Sequence, residues 1–242
     1  MSPDRDRSWV GAMAETYDRY LGPTVFHSFA VDLVSRAAGT PAHRVLEVAA
    51  GSGVVTRELV GALPDATLVA TDLNPAMVRT AAERVPRAHW AVVDGQRLPF
   101  CDRGFDLLVC QFGVMFLPDK PAAFAQARRV LAPGGRLLFT TWDALDTHGF
   151  ERAVTVGLRR AFPDDPPRFL EQIPHGYHDL AQVVADVRGG GFRAVSAETV
   201  TVTGHAASAA DLAFGYCTGT PLRAGIVGRG DLASATPGSR RL

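Results

Sequence analysis

Val45-Leu46-Glu47-Val48-Ala49-Ala50-Gly51-Ser52-Gly53-Val54-Val55-Thr56 opens as an apolar run, carries one acid inside it, and turns through Gly-x-Gly into a stretch ready to become helix. A strand followed at once by a glycine turn and a helix builds a nucleotide-sized pocket at the carboxyl end of a parallel sheet's first strand. Working outward, the pattern recurs. Residues 67–71 form a second strand candidate ending at Asp72, residues 89–93 a third ending at Asp94, and residues 105–111 a fourth. A fifth, over 136–141, is entered through the turn signal Pro133-Gly134-Gly135. Helix candidates at 55–62, 75–85 and 121–131 lie between them, with Asn74-Pro75 as N-cap and first turn. Apolar strands alternating with helices predict an α/β fold: a Rossmann-like, doubly wound, mostly parallel sheet.

The flanks read differently. Residues 8–20 and 24–38 have the pattern of amphipathic helices broken at Gly22-Pro23, giving an N-terminal helical lid over 1–40 ahead of a core at 41–142. Residues 143–178 are rich in Pro, His and aromatics, with Pro163, Pro166, Pro167 and Pro174, and read as an irregular substrate-side insertion over the pocket. Residues 179–242 complete the fold with a helix at about 179–188, a turn at Gly189-Gly190-Gly191, a sixth strand at 192–203, a helix at 206–216, and a frayed tail from 228. No later stretch reads as a seventh buried strand.

Of the 242 residues, 47% are hydrophobic, enough for one full α/β core, and Lys+Arg and Asp+Glu are both 25. That balance offers no basic field for nucleic acid and no polybasic run for an anionic membrane. The longest apolar run, residues 105–117, is too short to span a bilayer. The charged N-terminus lacks the apolar segment of a secretory signal. Cys101, Cys110 and Cys217 form no C-x-x-C pair, so each is expected as a small buried apolar residue in a cytoplasmic protein, with no metal site. A dimer is compatible with the sequence, which fixes no oligomeric state.

Three ligands compete for the glycine turn. A phosphate-binding P-loop needs Lys after its second glycine, where Val54 stands. A nicotinamide fingerprint needs a third glycine where Thr56 stands. S-adenosylmethionine has no phosphate. It needs backbone room beside its methionine part, an anion near its cation and a carboxylate for its ribose. Glu47, Gly51 and Gly53 suit the first two needs and Asp72 the third, while Asp94-Gly95-Gln96 can meet an adenine edge. Asp72 and Asp94 each follow a buried strand directly, where an unpartnered charge is costly.

Four segments, VLEVAAGSGVVT, TDLNPAMV, DGQRLPF and FDLLVCQFGVMFLPDKPAAFAQARRVLAPGGRLLFTTW, together resemble the class I S-adenosylmethionine-dependent methyltransferases. The likeness is to the broad small-molecule group that includes the ubiquinone/menaquinone C-methyltransferases, and it covers roughly residues 9–142. It implies that Ala49 and Gly51 contact the methionine part through backbone, and that Asp72 takes the ribose hydroxyls with Leu73 and Met77 against the adenine. It also implies that Asp94, Gly95 and Gln96 read the adenine edge, that Gln111 offers a carbonyl to the methionine amino group, and that Tyr17 or Tyr20 closes over the carboxylate. It further implies a seven-stranded sheet, and a Gly in many members where Ala49 stands here.

Methyl transfer from a sulfonium is an in-line displacement in which the protein aligns the partners and excludes water. A hydroxyl acceptor also needs a base. The leading candidates are His148 and His178, with His175 next and His27 behind them. Phe112, Met115, Phe116, Trp142, Phe150, Phe162 and Phe169 supply an apolar site, which suits a small, largely apolar acceptor such as a secondary metabolite methylated on O, N or C. The alternatives are an S-adenosylmethionine-binding enzyme of non-methylating chemistry, such as cyclisation or rearrangement, and a nicotinamide-linked enzyme.

Overall fold

The computed structural model describes residues 11–39 and 41–230. Five parallel strands, β1 (Arg44–Val48), β2 (Thr67–Asp72), β3 (His89–Val92), β4 (Phe105–Gln111) and β5 (Leu131–Thr140), lie in the order β3-β2-β1-β4-β5. Val45 of β1 pairs with Leu68 on one side and with Leu107 on the other. The strand order reverses between β1 and β4, and in open α/β sheets the crevice at that reversal is where ligands bind. The central strands are buried along nearly their whole length, as their continuous apolar sequence requires.

Local chemistry starts the helices. The Asn74 side-chain oxygen accepts from the N–H groups of Ala76 and Met77 at 2.8 and 3.3 Å and opens α4 (Pro75–Arg84). Asp119 caps α5 (Lys120–Val130) in the same way. Gly53, at φ 86°, is the left-handed residue from which α3 (Val54–Ala62) departs. The turn at Pro133-Gly134-Gly135 lies inside β5 rather than before it. The register with β4 jumps there from Phe105–Leu131 to Leu107–Arg136, and Gly134 sits at φ 81°.

The N-terminal helices are not broken at Gly22-Pro23. α1 (Gly11–Thr16), a π-helical segment (Tyr17–Phe26) and α2 (His27–Ala38) run on without interruption. Proline inside an α-helix lacks a donor and strikes the carbonyl four residues back. The wider π turn shifts the bonding to the fifth residue back, so His27 N–H reaches Gly22 C=O and the Pro23 ring is accommodated. Residues 8–10 of the expected first helix lie outside the described residues.

The segment 143–178 is more regular than its composition suggests. The four prolines cluster after residue 161 and leave room for α6 (Gly149–Ala161), followed by α7 (Phe169–Gln172). α8 (Leu180–Gly189), capped by Asp179, and α9 (Ala209–Gly219) match expectation within a few residues, whereas α10 (Leu222–Val227) falls where no element was expected. The strand expected at 192–203 does not form. Its residues are mostly exposed and join no ladder of the sheet, and only Phe192 and Val195 pack against the core. Alternating Val and Thr favour a strand only where a pleated surface receives them. The sheet therefore has five strands among the described residues rather than the seven that the resemblance implied. Most of the frayed tail expected from 228 lies outside the described residues.

Cys110 and Cys217 are buried as expected, but Cys101 is exposed. A cluster of Leu21, Val154, Leu158, Leu170, Leu212, Tyr216 and Leu222 joins the π-helical segment to α6, α7, α9 and α10. No helix among the described residues is long and apolar enough to cross a membrane.

Candidate functional site

At the carboxyl ends of β1 and β4 the chain turns through three left-handed residues, Ala49 (φ 57°), Gly51 (φ 57°) and Gly53 (φ 86°). This loop rims a cavity whose other walls include Tyr17, Phe26, Glu47 and Gln111. Ala49 is strained, since an L-residue at positive φ is disfavoured. Its methyl has room only because residue 113 is glycine: a Cβ on Gly113 would lie 2.5 Å from the Ala49 Cβ.

Two acids shape the cavity's field. Asp72 braces the loop, one carboxylate oxygen accepting from Gly51 N–H at 2.8 Å and the other from Asn74 N–H at 2.8 Å. Glu47 is 1% exposed and accepts from the Thr56 hydroxyl at 2.7 Å. Burial pushes its carboxyl up to about 8, against the Thr56 hydrogen bond and with a small addition from nearby Asp72. Among the described residues, no Lys or Arg lines the cavity. A bound cation would therefore draw Glu47 into its charged form.

Gln111, at the end of β4, donates through Nε2 to the Phe26 carbonyl at 3.3 Å. Its Oε1 is buried without a partner among the described residues. A buried orphan acceptor costs about 1–3 kcal/mol and calls for a donor that the protein does not supply. Tyr17 is half-buried beside these acids, and desolvation holds its phenol well above its ordinary value, so it stays a neutral O–H.

The structure thus gathers Tyr17, Glu47, Ala49, Gly51 and Gln111 round one cavity and hydrogen-bonds Asp72 to its wall. Gly53 stands behind at the start of α3. Leu73, Met77, Asp94, Gly95 and Gln96 lie outside the lining. Met77 is a core residue of α4. Asp94 accepts from Gln96 N–H at 2.9 Å, and the Gln96 side-chain oxygen accepts from Asp119 N–H at 3.0 Å, so both of these Gln96 groups are engaged within the protein. A Cβ on Gly95 would come within 2.9 Å of Val48, so only glycine lets this loop lie against the end of β1. Tyr20 is a packing aromatic, edge-on to Phe214 at 5.3 Å.

Sequence reasoning missed Phe26, Asp18 and Ser52. At 3.6 residues per turn, nine residues put Tyr17 and Phe26 on opposite faces of a helix. The π-helical winding brings them together, and their rings stack at 4.8 Å. Asp18 ties the same segment to the glycine loop. It accepts from the Ser52 hydroxyl at 2.8 Å and pairs with Arg84.

Beyond Phe26 lies an aromatic wall. Phe112, itself at φ 50°, stacks on Trp142 with ring centres 3.6 Å apart and planes within 4°. On its far side Trp142 meets His148 at 5.3 Å and His175 at 6.0 Å, and these two imidazoles are 4.6 Å apart. His178 is exposed, and its Nδ1 donates to the His175 carbonyl at 2.7 Å. His27 is half-exposed beside Glu58 at 3.7 Å, on the outer side of α2. Met115 is core, and Phe150, Phe162 and Phe169 pack on the cluster that joins α6 to α9. No group of three or more His, Cys, Asp or Glu among the described residues is placed to hold a metal ion.

Residues 45–135 match the model of a methyltransferase domain. The chain is 29% identical over 175 residues to a ubiquinone/menaquinone biosynthesis C-methyltransferase of Dinoroseobacter shibae, covering 66% of this chain and 70% of the relative. It is 32% identical over 146 residues to a demethylmenaquinone methyltransferase of Streptomyces griseus, covering 60% of this chain and 62% of the relative. In structure it is similar to a Haemonchus contortus phosphoethanolamine N-methyltransferase solved with phosphomonomethylethanolamine and S-adenosylhomocysteine. That match has a TM-score of 0.59 and 20% identity, and covers 78% of this chain and 44% of the other. The last likeness is one of fold.

Proposed function

We propose that this chain is a class I S-adenosylmethionine-dependent methyltransferase, as its methyltransferase-domain match and its relatives support, and that it transfers the methyl group to a small, largely apolar acceptor by in-line displacement. The observation that carries this reading is the cavity at the β1/β4 reversal. It is lined by an acid and an orphan amide oxygen, and by no basic side chain among the described residues. A nucleotide phosphate would find no cation there, whereas a ligand with an ammonium and a sulfonium supplies the donor that Gln111 Oε1 lacks and the positive charge that ionises Glu47.

When bound, S-adenosylmethionine supplies a methyl group on sulfur that is already activated to leave. The residues would divide the remaining work. The Ala49–Gly51 backbone flanks the methionine part, with Glu47 and Gln111 facing its charges and Tyr17 closing over it. Asp72 takes the ribose hydroxyls beside Leu73, and Gly53 keeps α3 clear of the ligand. Asp94, Gly95 and Gln96 meet the adenine from the neighbouring loop, with Met77 behind. The Phe26–Phe112–Trp142 wall excludes water from the line of attack. That wall suits a flat apolar acceptor, and a quinone-like ring of the kind named for two relatives is one member of the class. Non-methylating chemistry on the same cofactor is less favoured, since those relatives are methyltransferases by name.

Titration calorimetry tests the cofactor half. S-adenosylmethionine is expected to bind and NAD to give no heat; tight NAD binding would sink the reading. Asp72→Ala should weaken S-adenosylmethionine by about 1–3 kcal/mol, the worth of a charged hydrogen-bond partner. An unchanged dissociation constant would remove Asp72 from the ribose. Release of S-adenosylhomocysteine that depends on an added acceptor tests the transfer itself.

A further inference from the structure

The π-helical segment Tyr17–Phe26 lends two of its rings, Tyr17 and Phe26, to the walls of the cofactor cavity. Its back is held by packing. Leu21 is fully buried in the cluster that joins the segment to α6 and α9. α9 comes close through two glycines one turn apart. A Cβ on Gly215 would lie 2.9 Å from the Tyr20 Cβ, and one on Gly219 would lie 2.9 Å from the Tyr17 backbone nitrogen. Packing on so smooth a face resists separation, but it is not directional, so rotation about the helix axis is weakly opposed.

The front carries the directional bonds. Asp18 accepts from the Ser52 hydroxyl at 2.8 Å and pairs with Arg84 of α4, and at the far end the Phe26 carbonyl accepts from Gln111 Nε2. Ser52 is buried and belongs to the glycine loop, so Asp18 is tied to the cavity's rim while lying outside its lining. The Asp18 and Arg84 side chains are 20% and 33% exposed, which leaves their attraction less screened than that of a surface pair. Asp18 follows Tyr17 directly, so whatever fixes one about the axis fixes the other. A rotation that freed Asp18 would swing the Tyr17 ring off Phe26, on which it stacks, and away from the cavity. Arg84 has a second effect: it offsets a negative charge that would otherwise repel the carboxylate of an amino-acid ligand.

Resting on the methyltransferase reading above, we propose that Asp18 is a positioning residue for the cofactor. Through Ser52 and Arg84 it sets the Tyr17 phenol over the amino-acid end of S-adenosylmethionine, where the neutral O–H donates to the ligand's carboxylate. Asp18 itself touches no part of the ligand.

The test compares two ligands by titration calorimetry on the full chain. S-adenosylhomocysteine carries the amino-acid part, and methylthioadenosine keeps the adenosine but lacks it. Asp18→Ala should weaken S-adenosylhomocysteine by about tenfold and leave methylthioadenosine unchanged. A merely structural role would weaken both alike. Asp18→Asn, which still accepts from Ser52, should recover most of the affinity. In a Tyr17→Phe background, which lacks the phenol hydroxyl, Asp18→Ala should cost less than about threefold more, because the two residues act as one unit. Arg84→Met changes an exposed position of α4 and leaves the π-helical segment intact, so it carries the test if Asp18→Ala folds poorly; it should show the same selectivity between the ligands. Equal losses of both ligands, no loss of either, or a full tenfold loss in the Tyr17→Phe background would overturn the proposal. If the wild-type chain binds neither ligand, the methyltransferase reading falls instead.

Discussion

Glu47→Gln is expected to make the ligand-free protein more stable at alkaline pH while destroying its affinity for S-adenosylmethionine. The Glu47 carboxyl sits at about 8 in the fold against an ordinary 4.5. Between those values the folded state holds a proton that the unfolded state has lost, so stability falls as pH rises through this window and levels off above about 8. A tenfold tighter hold on a proton is worth about 1.36 kcal/mol, so the loss by pH 9 is on the order of 5 kcal/mol. Gln cannot ionise and still accepts from Thr56, so its melting temperature should change far less than that of the wild type between about pH 6 and 9. Cofactor binding responds the opposite way: a cation facing a buried neutral amide loses its counter-charge, worth about 3–5 kcal/mol, or more than a hundredfold in affinity. Calorimetry in buffers of different ionisation heat supplies a second readout. Wild type should release more protons on binding than Glu47→Gln does. Equal release, with parallel pH–stability curves, would show that Glu47 is ionised in the empty site.

That acid also shows what the sequence could reveal. Glu47 inside an apolar run, followed by Gly51 and Gly53, is legible because a parallel strand tolerates a buried charge only with a reason, and the glycines are needed where φ is positive. Asp72 was legible for the same cause, by its place directly after a buried strand. Phe26 was not, because α-helical periodicity puts it opposite Tyr17 and nothing local announces a π-helical turn, and Asp18 was not, because its partners Ser52 and Arg84 are distant in sequence. Gly113 was hidden for another reason: it matters only through Ala49, 64 residues away, whose methyl fills the space. The prolines after residue 161 masked α6, although the thirteen residues before them hold a clear amphipathic pattern once the helix is seen. The strand expected at 192–203 failed in the opposite direction, since local propensity favoured a pairing that the sheet does not provide. Local chemistry was readable wherever a residue's role depends on its own strand or turn. Roles that depend on a distant partner were not.

Trp142 is such a long-range residue, and its removal should have the largest structural effect on the aromatic wall. It is 8% exposed, lies flat on Phe112, and touches Phe26, Phe29, His148 and His175. Trp142→Ala removes a large buried ring, which costs about 3–5 kcal/mol, and for a chain of this size thermal unfolding should come about 6–20 °C lower. The strain in Phe112 makes the effect testable in a finer way. A bulky side chain at φ 50° is disfavoured by about 1–3 kcal/mol. It is held there by its N–H bonds to Thr140, at 3.2 Å to the carbonyl and 3.1 Å to the hydroxyl, and by the stack on Trp142. Phe112→Gly relieves the strain but loses the stack, so alone it should destabilise. In a Trp142→Ala background the stack is already gone, while the contacts of Phe112 with Phe26 and Phe29 remain, so the same substitution should cost less than it does in the wild type. The two changes should then depart from additivity by about 0.5–3 kcal/mol, the range for residues in contact. Strictly additive melting shifts would mean that Trp142 does not hold Phe112 in place, and that the wall between the cofactor cavity and the histidines stands without it.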